Sequence, residues 1–328
     1  MSEQTFGILR FHEQYFERIW GGQQLRTLYG KPIPADKPIG EAWLISDHPS
    51  AVSVVSEGPH AGRTLHDLVE EDTVALLGSR SKLTPHGRFP LLLKLLDSTD
   101  VLSVQVHPDD ATAAALGEPD VGKTEMWHIL HADPGAELIC GLQEGATPSL
   151  LRSAIEAGDL ERYLVRFPVQ PGDSVFVRAG TVHAIGKGIV LAEIQQNSDL
   201  TYRLYDWNRV DSAGKPRKLH IDKGIRATDF TLDTNQSIKI DNTLESYTSC
   251  IENIVSSKHF NVDILSCNSS TVFTNKSIFH IIFCTYRNVT VSCGTQNISL
   301  DIGQCCLVPS CIETFTVSGT GKALVYSA

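Results

Sequence analysis

The chain has 328 residues, long enough for two ordinary domains, and its 41% hydrophobic and 20% charged residues suit a soluble globule. With 28 basic and 38 acidic residues the net charge is -10, which disfavours nucleic acid or anionic membrane as a partner, since both need clustered Lys and Arg. No apolar run approaches the ~20 residues of a membrane span. Glu3, Arg10, Glu13, Glu17 and Arg18 stand where a secretory signal would place its apolar core, so a cytoplasmic protein is expected.

The first helical signal runs from Thr64 to Gly78, with Leu65, Leu68, Val69, Leu76 and Leu77 at helical spacing and Thr64 as N-cap. Next comes Leu102 to Pro108, patterned as a strand. There Ser103, Gln105 and His107 share one face, while Leu102, Val104 and Val106 share the other. A buried Gln and His two residues apart need partners, because an unpaired buried polar group costs about 1–3 kcal/mol. A shared cation meets that need, and so does a plain hydrogen-bonded pair. A short Ala-rich helix is expected over Asp109 to Leu116.

In Gly122 to Leu130, Lys123, Glu125 and Trp127 alternate with Thr124, Met126 and His128. Lys123 and Glu125 therefore project to one side, either into a barrel mouth or as a surface ion pair, and His128 falls on the opposite face. Thr147-Pro148 opens a third helix, expected to reach Val165 with Leu150, Leu151, Ile155, Leu160 and Leu164 on its apolar face. Val169 to Ala184 then reads as strand, Pro-Gly-Asp turn, apolar strand, Gly turn and His183. Glu193 and Gln195 alternate with apolar residues in the following strand, and Arg203 sits in a strand otherwise made of Tyr, Leu and Tyr. No Gly-rich phosphate loop follows any strand.

Composition changes near Phe230. From Thr231 onward only twelve charged residues remain, and seven of the eight cysteines lie there. Short β-branched runs at Phe260 to Leu265, Phe279 to Cys284, Val289 to Val291, Ile298 to Leu300 and Thr314 to Val317 indicate a sandwich or barrel. The phrase GQCCLVPS, starting at Gly303, repeats the turn and strand of GDSVFVRAG, starting at Gly172. The cysteines form no Cys-X-X-Cys pair and read as small buried hydrophobes. Asn-X-Ser/Thr sites at Asn235, Asn268, Asn275, Asn288 and Asn297 reflect an Asn-, Ser- and Thr-rich tail.

Taken together, two His, one Glu and one Gln on strands or strand ends make a nitrogen and oxygen donor set. Zinc accepts such donors and leaves a position open in catalytic sites, although iron(II) and manganese(II) tolerate them too. No cysteine accompanies them in sequence.

Four segments, SVQVHPDD (103–110), GKTEMWHIL (122–130), RAGTVHAIGKG (178–188) and LAEIQQNSDLTYRLYDWNR (191–209), together resemble the type I mannose-6-phosphate isomerase family in its short bacterial form. The resemblance covers roughly residues 5 to 230, supported by Trp20-Gly21-Gly22 and Gly40-Glu41-Ala42-Trp43. It implies a mainly β fold of two cupin-type (jelly-roll) β-barrels with a few inserted α-helices, expected as a catalytic domain over 1–235 and a C-terminal barrel over 236–328. It also implies one zinc ion per chain, held by Gln105, His107, Glu125 and His183, with Arg203 catalytic and Lys123 in the active site. The activity implied interconverts mannose 6-phosphate and fructose 6-phosphate through a cis-enediol, so the partner is a small sugar phosphate. Glu193, ten residues after His183 on a strand running from it, is the candidate base. Arg10, Lys94 and Arg178 are unranked candidates for holding the phosphate, and a monomer is the default state.

Two alternatives come from other classes. A cupin metal-dependent oxygenase usually has two His one residue apart with a Glu shortly after, whereas here Gln105 precedes His107 and Glu125 follows eighteen residues later. A non-catalytic sugar-binding cupin module would keep the barrel and show no turnover.

Overall fold

The computed structural model describes residues 5–210, 214–232, 239–240 and 249–328. Within these the chain is mainly β, with six short α-helices. It divides into two compact units, each discontinuous in sequence: residues 15–41 with 95–242, and residues 1–14 with 42–94 and 243–328. The last passage from one to the other, at 242/243, falls near the composition change after Phe230.

Two sheets take in the strands between residues 91 and 205. One runs, in spatial order, Gln14–Gly22, Ile39–Ile45, Leu91–Ser98, Ile189–Gln196, Glu125–Ala132, Ser174–Val177 and Lys239–Ile240. The other runs Tyr202–Tyr205, Val104–Val106, His183–Ile185, Glu137–Leu142 and Leu164–Pro168. Strand alternation decides which side chains lie between them. Trp127, Ile129, Val175 and Val177 of the first sheet share a core with Leu138, Cys140 and Ile185 of the second. Val104, Val106, Ile139, Ala184 and Leu204 face the other way and pack with Leu151 and Ile155 of helix Pro148–Glu156. Leu102 joins the core of Trp127 rather than that of Val104 and Val106, because the regular strand begins only at Val104.

The second unit also carries two sheets. One is ordered Cys250–Ser256, Asn261–Ser266, Lys322–Ser327, His280–Tyr286, Cys305–Val308, and the other Thr271–Thr274, Thr314–Gly319, Asn288–Cys293, Gln296–Asp301. Their inner faces meet in one apolar cluster that includes Leu265, Ile282, Val291, Leu300, Phe315 and Val325. All five strands expected in the tail are present. The repeated phrase holds locally: Gly172 and Gly303 both take positive φ, +96° and +80°, two residues before the strands Ser174–Val177 and Cys305–Val308. All eight cysteines are free thiols. Cys140, Cys267, Cys284 and Cys306 are buried as expected, whereas Cys250 is exposed. Asn235 lies outside the described residues.

Two helices differ from expectation. The one expected from Thr64 to Gly78 is two, Leu65–Glu71 and Thr73–Leu77. Asp72 leaves helical geometry at φ -153°, ψ 85°, and its carboxylate caps the second helix by accepting from Ala75 N at 2.8 Å. The helix from Pro148 ends at Glu156 rather than Val165. Gly158 turns the chain with φ +69°, and a 3-10 turn, Leu160–Tyr163, leads into the strand Leu164–Pro168. The third is close to expectation, spanning Asp110–Ala115 with Asp109 as N-cap. Among the described residues no helix is long and apolar enough to cross a membrane.

Candidate metal centre

Backbone register brings the chemistry-bearing side chains together on the inner faces of the two sheets. In the five-stranded sheet, Arg203 pairs with Gln105, Gln105 with His183, and His183 with Cys140, a row across four strands. In the facing sheet, Glu125 pairs with Gln195 and Trp127 with Glu193. Residues 78 positions apart, Gln105 and His183, thereby become neighbours, with Gln105 Nε2 3.2 Å from His183 Nε2.

His107, Glu125 and His183 present ligand atoms that all lie within 4.8 Å of one another, and all three residues are buried. His107 Nε2 is 3.5 Å from Glu125 Oε2, and His183 Nε2 is 3.4 Å from Glu125 Oε1. Each imidazole has its other nitrogen committed to a backbone carbonyl: His107 Nδ1 to Leu200 O at 2.8 Å and His183 Nδ1 to Thr181 O at 2.9 Å. A carbonyl only accepts, so Nδ1 carries the proton in both rings and Nε2 turns a lone pair to the centre. Second partners of this kind orient metal-ligating histidines.

The donor set fits a divalent cation by a further observation. Glu125 is completely buried, yet its Oε1 accepts no hydrogen bond among the described residues. An orphaned buried carboxylate oxygen is costly unless a positive charge shares the site. Lys123 supplies part of that charge, donating to Glu125 Oε2 and lying 3.2 Å from His107 Nε2. It also lies 3.7 Å from Glu193 Oε1, while the Trp127 indole N–H donates to Glu193 Oε2 at 2.9 Å.

Burial pulls the Lys123 ammonium toward deprotonation, but Glu125 and Glu193 beside it outweigh that and leave its pKa above the ordinary lysine value. Burial takes His183 the other way, down to about 4, only partly opposed by its bond to Thr181. The imidazole is therefore neutral near pH 7, the form that can ligate a metal. Arg203 is half-buried; its Nε donates to Ser103 Oγ at 3.3 Å and its Nη1 to Lys218 O at 3.1 Å. Its pKa lies below the usual arginine value, first through burial and then through Arg217.

The expected face of Ser103, Gln105 and His107 is thus the one that meets the centre. Lys123 and Glu125 do pair, although inside the protein rather than on its surface. His128 points away and bonds Ser174 Oγ at 2.8 Å. Of the three cations considered for phosphate, Arg10 pairs with Glu57 at 3.8 Å and Lys94 lies 4.5 Å from the Trp43 ring centroid, both in the second unit. Arg178 lines a cavity of about 330 Å³ with Phe176, Thr181 and Asp229.

Two side chains and two backbone carbonyls near the centre were missed in sequence. Trp127 was visible only as the third member of the Lys123, Glu125 alternation. Cys140 stands opposite His183, although its sulfur is not among the clustered donor atoms. The carbonyls of Leu200 and Thr181 carry no side-chain signal at all.

Residues 8–136 match the model of the phosphomannose isomerase type I catalytic domain. The chain is 45% identical over 225 residues to the mannose-6-phosphate isomerase of Streptococcus mutans, covering 69% of this chain and 67% of that protein. It is also 45% identical over 217 residues to the mannose-6-phosphate isomerase ManA of Bacillus subtilis, covering 66% of each. A crystal structure of the mannose 6-phosphate isomerase from Bacillus subtilis superposes with a TM-score of 0.88 at 34% identity, covering 98% of this chain and 99% of that one.

Proposed function

Because the chain belongs to the type I mannose-6-phosphate isomerase family, we propose that it interconverts mannose 6-phosphate and fructose 6-phosphate with zinc as cofactor, moving a proton between C1 and C2 through a cis-enediol. The observation that carries this reading is the convergence of two Nε2 lone pairs and an orphaned carboxylate oxygen on one buried point. Two imidazoles with one glutamate form a catalytic zinc set that leaves room for substrate. His107, Glu125 and His183 hold the ion, one per chain, and Gln105 is the fourth candidate, its amide turned over from the present contact of Nε2 with His183 so that the carbonyl oxygen faces the ion.

When bound, the ion supplies Lewis-acid polarisation of the sugar's carbonyl and hydroxyl oxygens. The chain's own groups account for the proton. Glu193 is buried and aimed by the Trp127 indole, so it is the base that takes the proton from carbon. Lys123, held charged by two carboxylates, stabilises the negative charge that develops on oxygen. Arg203, in the same row as Gln105 and His183, offers a rigid fork of donors for the sugar's oxygens.

The test is a coupled assay for fructose 6-phosphate with protein stripped by a chelator and then reloaded. Activity should vanish with the metal and return with zinc. Full turnover by demonstrably metal-free protein would exclude the reading.

A further inference from the structure

The motif Gln195-Gln196-Asn197-Ser198 follows the candidate base, yet none of the roles above uses it. Regular pairing between Ile189–Gln196 and Glu125–Ala132 reaches only Gln195 opposite Glu125. Beyond that point the Gln196 side chain takes over. Its Oε1 accepts from Thr124 N at 2.9 Å, and its backbone N donates to Thr124 O at 3.1 Å. Thr124 is the residue between Lys123 and Glu125. The other end of the buried amide, Nε2, donates to Asp110 Oδ1 at 2.9 Å, and the same oxygen accepts from Gly122 N at 3.0 Å.

These bonds join the segment after His107 to the segment that carries Lys123 and Glu125. Lys123 N donates to Pro108 O at 3.0 Å, next to His107. A Cβ on Gly122 would stand 2.5 Å from Asp110 N and 2.6 Å from Asp109 C, so the two backbones approach as closely as a glycine permits. From the strand of Glu193, the Gln196 side chain touches both segments. A single amide thus ties together the approaches to His107, Lys123, Glu125 and Glu193.

We infer that Gln196 is a positioning residue: its amide, relayed through Asp110, sets the spacing between His107 and the Lys123–Glu125 peptide that a bound divalent cation requires. The inference rests on the metal-dependent reading above and adds a residue to it. Gln196 touches neither ion nor substrate. It acts through Thr124 N and Asp110, so its loss should appear in metal affinity more than in folding.

The experiment measures zinc affinity by chelator competition, together with melting of the metal-free protein, for Gln196→Met, Asp110→Ala and Asp110→Asn. Gln196→Met removes both polar ends at similar volume and should weaken zinc binding about tenfold, the size expected for loss of an outer-shell partner. Its kcat should fall while KM for mannose 6-phosphate changes little, and its metal-free melting temperature should fall only modestly, because the buried Thr124 N alone loses its acceptor. Asp110→Ala should follow it in direction, and serves alone if Gln196→Met does not fold. Asp110→Asn keeps an acceptor oxygen for both Gly122 and Gln196, and should restore affinity. Zinc affinity of Gln196→Met and Asp110→Ala within about twofold of the unmodified protein overturns the inference while leaving the metal reading intact. Unmodified protein that binds no zinc overturns the metal reading, and the role of Gln196 falls with it.

Discussion

Two glutamates beside the same lysine have different surroundings, and that difference separates their roles. Glu125 faces two imidazole Nε2 atoms and keeps one oxygen without a hydrogen bond among the described residues, whereas both oxygens of Glu193 are met, one by Trp127 and one by Lys123. Glu125→Gln should therefore lose zinc and activity together, since a neutral amide removes the charge at the centre. Glu193→Gln can still accept from the Trp127 indole and should keep its zinc, while kcat falls about 10²–10⁴-fold through loss of the base. Metal content measured beside kcat checks both. Equal activity in Glu193→Gln would remove Glu193 from the reaction. His107, Glu125 and His183 were legible in sequence as strand-pattern residues, and as a ligand set only through the family resemblance. The bonds that orient them were not, since Leu200 and Thr181 contribute only backbone carbonyls.

At the scale of elements, apolar periodicity predicted burial better than helical continuity, although Leu150, expected on an apolar face, is 43% exposed. Leu65, Leu68, Val69, Leu76 and Leu77 are all buried as the pattern requires, yet the hydrogen-bonded helix breaks at Asp72. Two short helices can keep one apolar face in step, so periodicity does not report the break. What reports it is a residue that favours caps over helix interiors. Asp72→Ala removes the acceptor of Ala75 N and should cost about 1 kcal/mol in urea unfolding; no loss would show that the cap contributes nothing. Leu160 and Leu164 give the same lesson. They belong to the core of helix Pro148–Glu156 but reach it from a 3-10 turn and a strand. Strands were more legible than helices because their short period survives Gly and Pro punctuation. Their pairing was not, and pairing is what places Gln105 beside His183.

For the whole molecule, composition revealed a β-rich tail. It did not reveal that residues 42–94 form one compact unit with that tail, because contacts distant in sequence leave no local trace. That unit contains a group whose titration is testable apart from the metal. His280 packs against Phe273 and Phe315, its Nδ1 has no hydrogen-bond partner among the described residues, and burial lowers its pKa from 6.5 to about 4. In the unfolded chain this histidine takes up a proton below pH 6.5, while in the folded protein it does not until about pH 4. The unfolded state thus binds more protons in that window, and stability falls as pH drops through it. The contribution lost is on the order of 3 kcal/mol. His280→Phe should flatten the decline measured by chemical denaturation across that range, relative to the unmodified protein. An unchanged slope would show that His280 does not contribute.

The claim on which the rest depends is that one ion sits between His107, Glu125 and His183 in working enzyme. Zinc-edge anomalous scattering from crystals of fully active protein tests it most directly. A single peak is expected there, with ligand distances of ~2.0–2.2 Å to two imidazole nitrogens and a carboxylate oxygen. Active crystals with no anomalous peak at that position, or with one only elsewhere, would contradict it.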